Sequence, residues 1–240
     1  MKLTLFTILT LLTLSGCSHI LKLTKNEDKG VKDILNFYGG RCEYSVGFIA
    51  STTDGTKKYF ELKLTGSDVA EKYFSSAPEF QVYGMAYMFF NDLKSENKNY
   101  DEIHSIVVLK NGQECQITLS RDTLGLIADK INVFNQVADL IKAKNFNGIK
   151  PLLNPDSYTD SAKNQLIYNL KVADSEFSNV KTFWFYGFRF ENYNNYNVIN
   201  FIGAFIRDKQ DSQLSVKVDL KESEDNIHFL DYDWFSKEQN

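Results

Sequence analysis

Histidine, cysteine and proline each occur only three times in 240 residues, and what is scarce here narrows the chemistry at once. His19, His104 and His228 have no second histidine at ligand spacing, and there is no HExxH or CxxC, so no metal site is written into the chain. There is no GxSxG, no glycine-rich phosphate loop and no dinucleotide fingerprint; Gly39-Gly40 lacks the preceding strand and following helix that a phosphate site needs. No block of basic residues occurs and the net charge is -4, which leaves nucleic acid little electrostatic footing. These gaps lead to an expectation of no cofactor, no metal and no catalytic residue set. They lean against an enzyme without deciding the matter.

What is present is an ordinary globular composition, 43% hydrophobic and 24% charged, with enough length for one large domain or two small ones. Aromatics reach 14%, mostly Phe and Tyr, so strands and ring packing should carry much of the core. Three prolines and 13 glycines exclude a fibrous or strongly disordered body.

The first sixteen residues differ from the rest. Lys2 is followed by an apolar run, Leu3 to Leu14, too short for the ~20 residues of a membrane span and suited to a processed leader. Leu14-Ser15-Gly16-Cys17 resembles the lipobox of bacterial lipoproteins, and the first half of the body that follows resembles small Bacteroidota lipoprotein domains. The resemblance implies cleavage before Cys17, diacylation of its thiol and acylation of the new amino terminus. Several acyl chains, at ~0.8 kcal/mol per buried CH2, give stable anchoring. Loss of residues 1–16 would remove Lys2 alone among the charged residues, taking the net charge from -4 to -5. Ser18 resembles the outer-membrane sorting pattern, so the expected location is the cell envelope, lipid-anchored at the outer membrane.

Residues 17–30 read as a tether, 31–120 as an N-terminal α+β domain and 121–240 as a C-terminal α+β domain. In the first, a helix over 31–37 precedes an alternating strand at 42–51, a hairpin signal at Asp54-Gly55 and a second strand. A helix over 79–94, apolar nearly all round, is expected to be well buried. Strands 103–110 and 113–120 flank Asn111-Gly112. In the second domain, Leu124, Ile127, Ile131, Phe134, Ala138 and Ile141 mark a long helix capped by Ser120. A break at 146–155, a helix over 159–173 and strands at 179–191, 196–207, 213–221 and 227–234 follow, the last four most simply an antiparallel meander. The fold class expected is α+β: two small units with antiparallel sheets, the second a helix followed by a curled meander.

That order of elements over residues 126–235, together with Ala138-Asp139, Ile141 and Asn145-Phe146 before Leu152-Leu153-Asn154-Pro155, resembles the nuclear transport factor 2-like, cystatin-like superfamily. The resemblance implies a cone with a pocket between sheet and helices. In VKTFWFYGFRFENY, alternation places Trp184, Tyr186, Phe188 and Phe190 on one face and Phe183, Phe185, Arg189 and Glu191 on the other, with Gly187 where the strand can bulge. Trp184, Tyr186, Arg189, Glu191, Arg207 and Asp231 are the candidate pocket residues, with Asp219 a further ionisable candidate. Cys42 and Cys115 fall on apolar strand faces: either a disulfide, allowed in an envelope compartment, or two separately buried thiols.

The function these features favour is a membrane-anchored envelope lipoprotein that acts as a binding or protein-interaction module. Its partners are then the lipid membrane through acylated Cys17 and an envelope protein or a small ligand. A small-molecule-binding or hydrolytic cone and a structural subunit of an envelope assembly are the alternatives.

Overall fold

A computed structural model describes residues 22–51, 55–74, 77–208, 210–221 and 226–234. Cys17 and the lipobox lie outside the described residues. The elements run α1 (Lys25–Tyr38), β1 (Arg41–Ser51), β2 (Gly55–Thr65), α2 (Asp68–Phe74), α3 (Glu79–Leu93), a 3-10 helix (Lys94–Asn99), β3 (Glu102–Val108), β4 (Glu114–Ser120), α4 (Arg121–Lys142), a second 3-10 helix (Phe146–Leu152), α5 (Asp160–Glu176), β5 (Val180–Tyr193), β6 (Tyr196–Arg207), β7 (Ser212–Asp219) and β8 (Ile227–Trp234). The fold is α+β with two four-stranded sheets, β1-β2-β3-β4 and β5-β6-β7-β8. Among the described residues no helix is long and apolar enough to cross a membrane.

Local chemistry accounts for most boundaries. Helix α1 starts six residues inside the segment read as a tether, because Thr24 and Glu27 form a reciprocal capping box that satisfies two of the orphan amides at the helix start. Ser120 caps α4 and Thr159 caps α5 in the same way, each accepting from the amide three residues on. In the first sheet β1–β2 and β3–β4 are antiparallel, but β2–β3 is parallel, which the expectation of wholly antiparallel sheets did not include. The reason is the connection: α2, α3 and a 3-10 helix return the chain to the end from which β2 started, as parallel pairing requires. The second sheet is an antiparallel meander.

Helix α3 joins the halves. Its Val82, Met85, Ala86 and Phe89 are buried, and a single cluster of buried side chains runs from Phe60 and Phe89 to Phe134, Phe188 and Phe201. Gly84 sits so close to β5 that an added Cβ would stand 2.8 Å from the Tyr186 carbonyl oxygen. On β5 the register shifts between Phe185 and Gly187, and Gly187 has φ +147°, a conformation L side chains rarely adopt. The bulge reverses the alternation. Phe183, Phe185, Phe188 and Phe190 therefore face the core, while Trp184 and Tyr186 turn to the other side, correcting the grouping of Trp184 and Tyr186 with Phe188 and Phe190. Between the second sheet and α4, the space is filled by Phe134, whose ring lies 5.5 Å from Phe183, 5.8 Å from Phe185 and 5.6 Å from Phe201.

The two cysteines are not paired. Cys42, Leu64, Val107 and Cys115 form one register row across the first sheet, with the cysteines on its two edge strands. Three strand spacings, roughly 14 Å, separate them, far beyond the ~5.5 Å that a disulfide needs between Cα atoms.

Candidate functional site

The described residues with the most chemical potential meet where the second sheet closes against the break after α4. Between β7 and β8 the register shifts at Lys217/Val218, so His228 is an extra residue that escapes the strand alternation. Its ring turns inward and is fully covered. Nε2 lies 3.0 Å from Asp219 Oδ2, and Nδ1 lies 2.7 Å from Ser157 Oγ. The Tyr196 ring packs 4.0 Å from the imidazole centroid.

Asp219 is itself oriented, its Oδ1 accepting from the Lys221 amide at 2.8 Å. Burial would raise its pKa, but the Lys221 amide and His228 outweigh that and hold the carboxyl below its ordinary value. With Asp219 ionised, His228 Nε2 carries the proton and Nδ1 accepts from the Ser157 hydroxyl. The arrangement is a serine–imidazole–carboxylate chain with the tautomer a general base would need.

The same segment is laced to β8 along its length. Leu153 bridges Ile227, the Asn154 amide donates to the Ile227 carbonyl at 3.0 Å, and the Leu230 amide donates to the Tyr158 hydroxyl at 3.2 Å. Asn154 Oδ1 accepts from the amides of Asp156 and Ser157 at 2.7 and 3.2 Å, and its carbonyl from those of Ser157 and Tyr158. The backbone donors beside Ser157 are thus committed to Asn154 rather than aimed at the cleft. The network borders a cleft of about 560 Å³, lined by Tyr158, Tyr193, Tyr196 and Leu230, by Asp156 and Asn194, and by Ser157 and His228 themselves. Its volume falls in the range of small-ligand sites.

The pocket residues expected from sequence do not line one cavity. Trp184 is half exposed beside Phe37, in a shallow groove with Lys29, Asp33 and Asp92. Tyr186 is buried against Phe80 and Ala204, and its carbonyl accepts from the Tyr38 hydroxyl. Arg189 bridges Glu79 and Glu191, each at 3.0 Å, and Glu191 also pairs with Lys217 at 2.6 Å. Arg207 lies on the opposite, core face of the sheet, buried with Asp174 at 3.0 Å, Ser212, Tyr232 and the Ser178 carbonyl. Asp231 is exposed on the edge strand β8 and its carboxyl is pushed up by partial burial and by Asp233.

His104 stacks flat on Tyr59, 4.2 Å between centroids, beside Glu61 and Glu102. Among the described residues no group of three His, Cys, Asp or Glu side chains could hold a metal ion. Sequence reasoning named Asp219 and considered His228, but it missed Ser157 and Asn154. The only local signal was the Asn-Pro-Asp-Ser turn, which carries no motif spacing to the others.

No protein-family model, curated protein or solved structure matches the chain.

Proposed function

We propose that the protein is a lipoprotein of the bacterial envelope, acylated at Cys17 and held at the outer membrane, whose folded body binds a ligand or envelope partner rather than catalysing a reaction. The observation that carries the anchorage is Leu14-Ser15-Gly16-Cys17 behind Lys2 and a short apolar run. A Cys17→Ser variant should lose the added lipid mass and leave the membrane fraction; unchanged fractionation and mass would defeat the anchorage.

The binding reading rests on the tyrosine-walled cleft beside His228, with Asp156 and Asn194 as polar groups in its lining. Aromatic walls with few polar groups suit a small ligand that has both an apolar face and hydrogen-bonding edges. The order α4, α5 and a four-stranded meander is that of the cystatin-like resemblance. The space between sheet and helix where that resemblance implies a pocket is filled by Phe134 against Phe183, Phe185 and Phe201, so the binding reading draws on the tyrosine-walled cleft instead.

A hydrolytic reading draws on one specific observation, the Ser157–His228–Asp219 chain. Two features weigh against it. The His228 ring is fully covered although it borders the cleft, and the amides of Asp156, Ser157 and Tyr158 already donate to Asn154, so these three are not free to act as oxyanion donors. A fluorophosphonate probe discriminates. The binding reading expects no labelling, whereas labelling lost in both Ser157→Ala and His228→Ala would install the hydrolase in its place.

A further inference from the structure

The end of the molecule nearest Lys22 brings exposed apolar side chains and lysines together. The first turn of α1 is tied to the 3-10 helix after α3: Thr24 Oγ1 donates to Glu96 at 2.6 Å, and Asn26 donates to Glu96 and to the Leu93 carbonyl at 2.8 and 3.2 Å. Tyr100 donates its hydroxyl to Glu27. Asp101 continues the connection, accepting from the Lys58 amide at 2.9 Å and donating its own to the Lys58 carbonyl at 2.8 Å, while the Arg121 amide donates to its carbonyl. The N-terminal residues, Lys94–Asn99, the start of α4 and the middle of the β1–β2 hairpin therefore share one end.

From this level the hairpin continues as a free arm. The β2–β3 pairing begins at Tyr59↔Glu102, so among the described residues the strand pairs beyond Lys58, which Asp101 still meets, have no third strand beside them. Phe48, opposite Lys58, and Ile49, opposite Lys57, are 67% and 44% exposed. Consecutive strand residues point to opposite faces, so no single protein core accounts for both. The arm reaches on to Ser51, roughly 10 Å further at ~3.3 Å per residue.

Around it Lys22, Lys25, Lys94 and Lys98 are exposed, in a chain whose net charge is -4. Of the neighbouring acids, Glu102 pairs with Lys57, Asp28 with Lys32, and Asp101 faces Arg121 at 3.9 Å. Glu27 and Glu96 accept from neutral donors and keep their charge, as does exposed Asp122, so four exposed lysines stand against three carboxylates. Four residues separate Cys17 from Lys22, five Cα steps, a reach of at most ~17 Å. If Cys17 carries lipid, this end is held within that distance of the headgroups.

We infer that this end is the membrane-facing surface, the β1–β2 arm setting Phe48 and Ile49 into the headgroup layer while Lys22, Lys25, Lys94 and Lys98 meet lipid phosphates. Amphipathic contact of this kind adds apolar burial to attraction for anionic lipid. The inference rests on acylation of Cys17.

The test uses the full acylated protein in vesicles of phosphatidylethanolamine and phosphatidylglycerol, with a benzophenone amino acid placed at residue 48 or, as a control, at residue 168. Tyr168 is equally exposed, at 63%, but lies on α5, which packs beyond the far end of the 22-residue α4. Intact mass first establishes whether Cys17 carries acyl groups; without them the anchorage itself fails, and this inference with it. With acyl groups present, lipid adducts at residue 48 should exceed those at 168 at least fivefold, and Ile49→Asp should reduce them. Equal adducts at the two positions, or adducts at residue 48 to a second copy of the chain, would overturn the membrane-facing assignment and leave the anchor standing.

Discussion

Gly84 of α3 and Gly187 of β5 meet backbone to backbone: a Cβ on Gly84 would lie 3.0 Å from the Gly187 Cα, and one on Gly187 would lie 2.0 Å from the Phe80 carbonyl oxygen. The contact is where the two halves of the molecule close. Gly187→Ala must therefore move helix backbone as well as adopt an unfavourable φ, and should cost about 3 kcal/mol or more or prevent folding. Gly84→Ala should cost about 1–3 kcal/mol by overpacking. Gly125, in α4, has open space around it, and Gly125→Ala should stabilise by about 0.5–1 kcal/mol. Urea unfolding of the three variants checks the order.

Arg207 and Asp174 form a buried pair on the core face of the second sheet, with Tyr232 and Ser212 completing it. Arg207→Met leaves Asp174 with the Tyr232 hydroxyl at 3.0 Å and the exposed Lys144 ammonium at 3.6 Å, and should cost about 3–5 kcal/mol. Replacing both partners, Arg207→Met with Asp174→Leu, should recover part of that loss, because the unpaired buried charge is gone. A double-mutant cycle by chemical denaturation measures the difference.

Asp219 links stability to acid. Its carboxyl is held below the ordinary value in the fold, so its contribution is present above the unfolded pKa of about 3.9 and is lost as pH falls through the folded value. Asp219→Asn should lower stability at pH 7 by about 1–3 kcal/mol, since His228 loses a charged partner. It should also flatten the fall in unfolding midpoint below pH 4. An unchanged acid slope would show that other carboxylates, such as Glu102 and Glu191, govern that region.

Cys42 and Cys115 should both alkylate under non-reducing, denaturing conditions, and reduction should leave the mass unchanged. In the folded protein burial pushes the Cys42 thiol up to about 11 from 9.0, leaving about a hundredfold less thiolate near pH 8. Iodoacetamide labelling of Cys42 should slow accordingly, and unfolding should restore it. A Cys42–Cys115 crosslink detected by mass would contradict the strand order.

Hydrophobic period and caps act within a few residues, so sequence alone was enough for most of the element list, though not for α2 or the 3-10 helix at Lys94–Asn99. The period of α4 and its Ser120 cap, the Asn111-Gly112 turn and the four-strand meander all read correctly. So did the bulge position at Gly187, although its consequence for which rings face inward did not. Helix α1 was read too short because the Thr24–Glu27 box was overlooked, although both residues were there to see.

Tertiary structure decided the rest. The pairing of β2 with β3 leaves β1 and β4, and with them Cys42 and Cys115, on opposite edges, and a bulged His228 meets Ser157, 71 residues earlier in the chain. Neither follows from local pattern. Strand order depends on where a connection returns the chain, and a one-residue register shift turns a side chain from one face of a sheet to the other. The lipobox expectation could be formed at all because Leu14-Ser15-Gly16-Cys17 is a contiguous pattern; the surroundings of His228 could not be anticipated, because they are assembled from segments that touch only when the chain has folded.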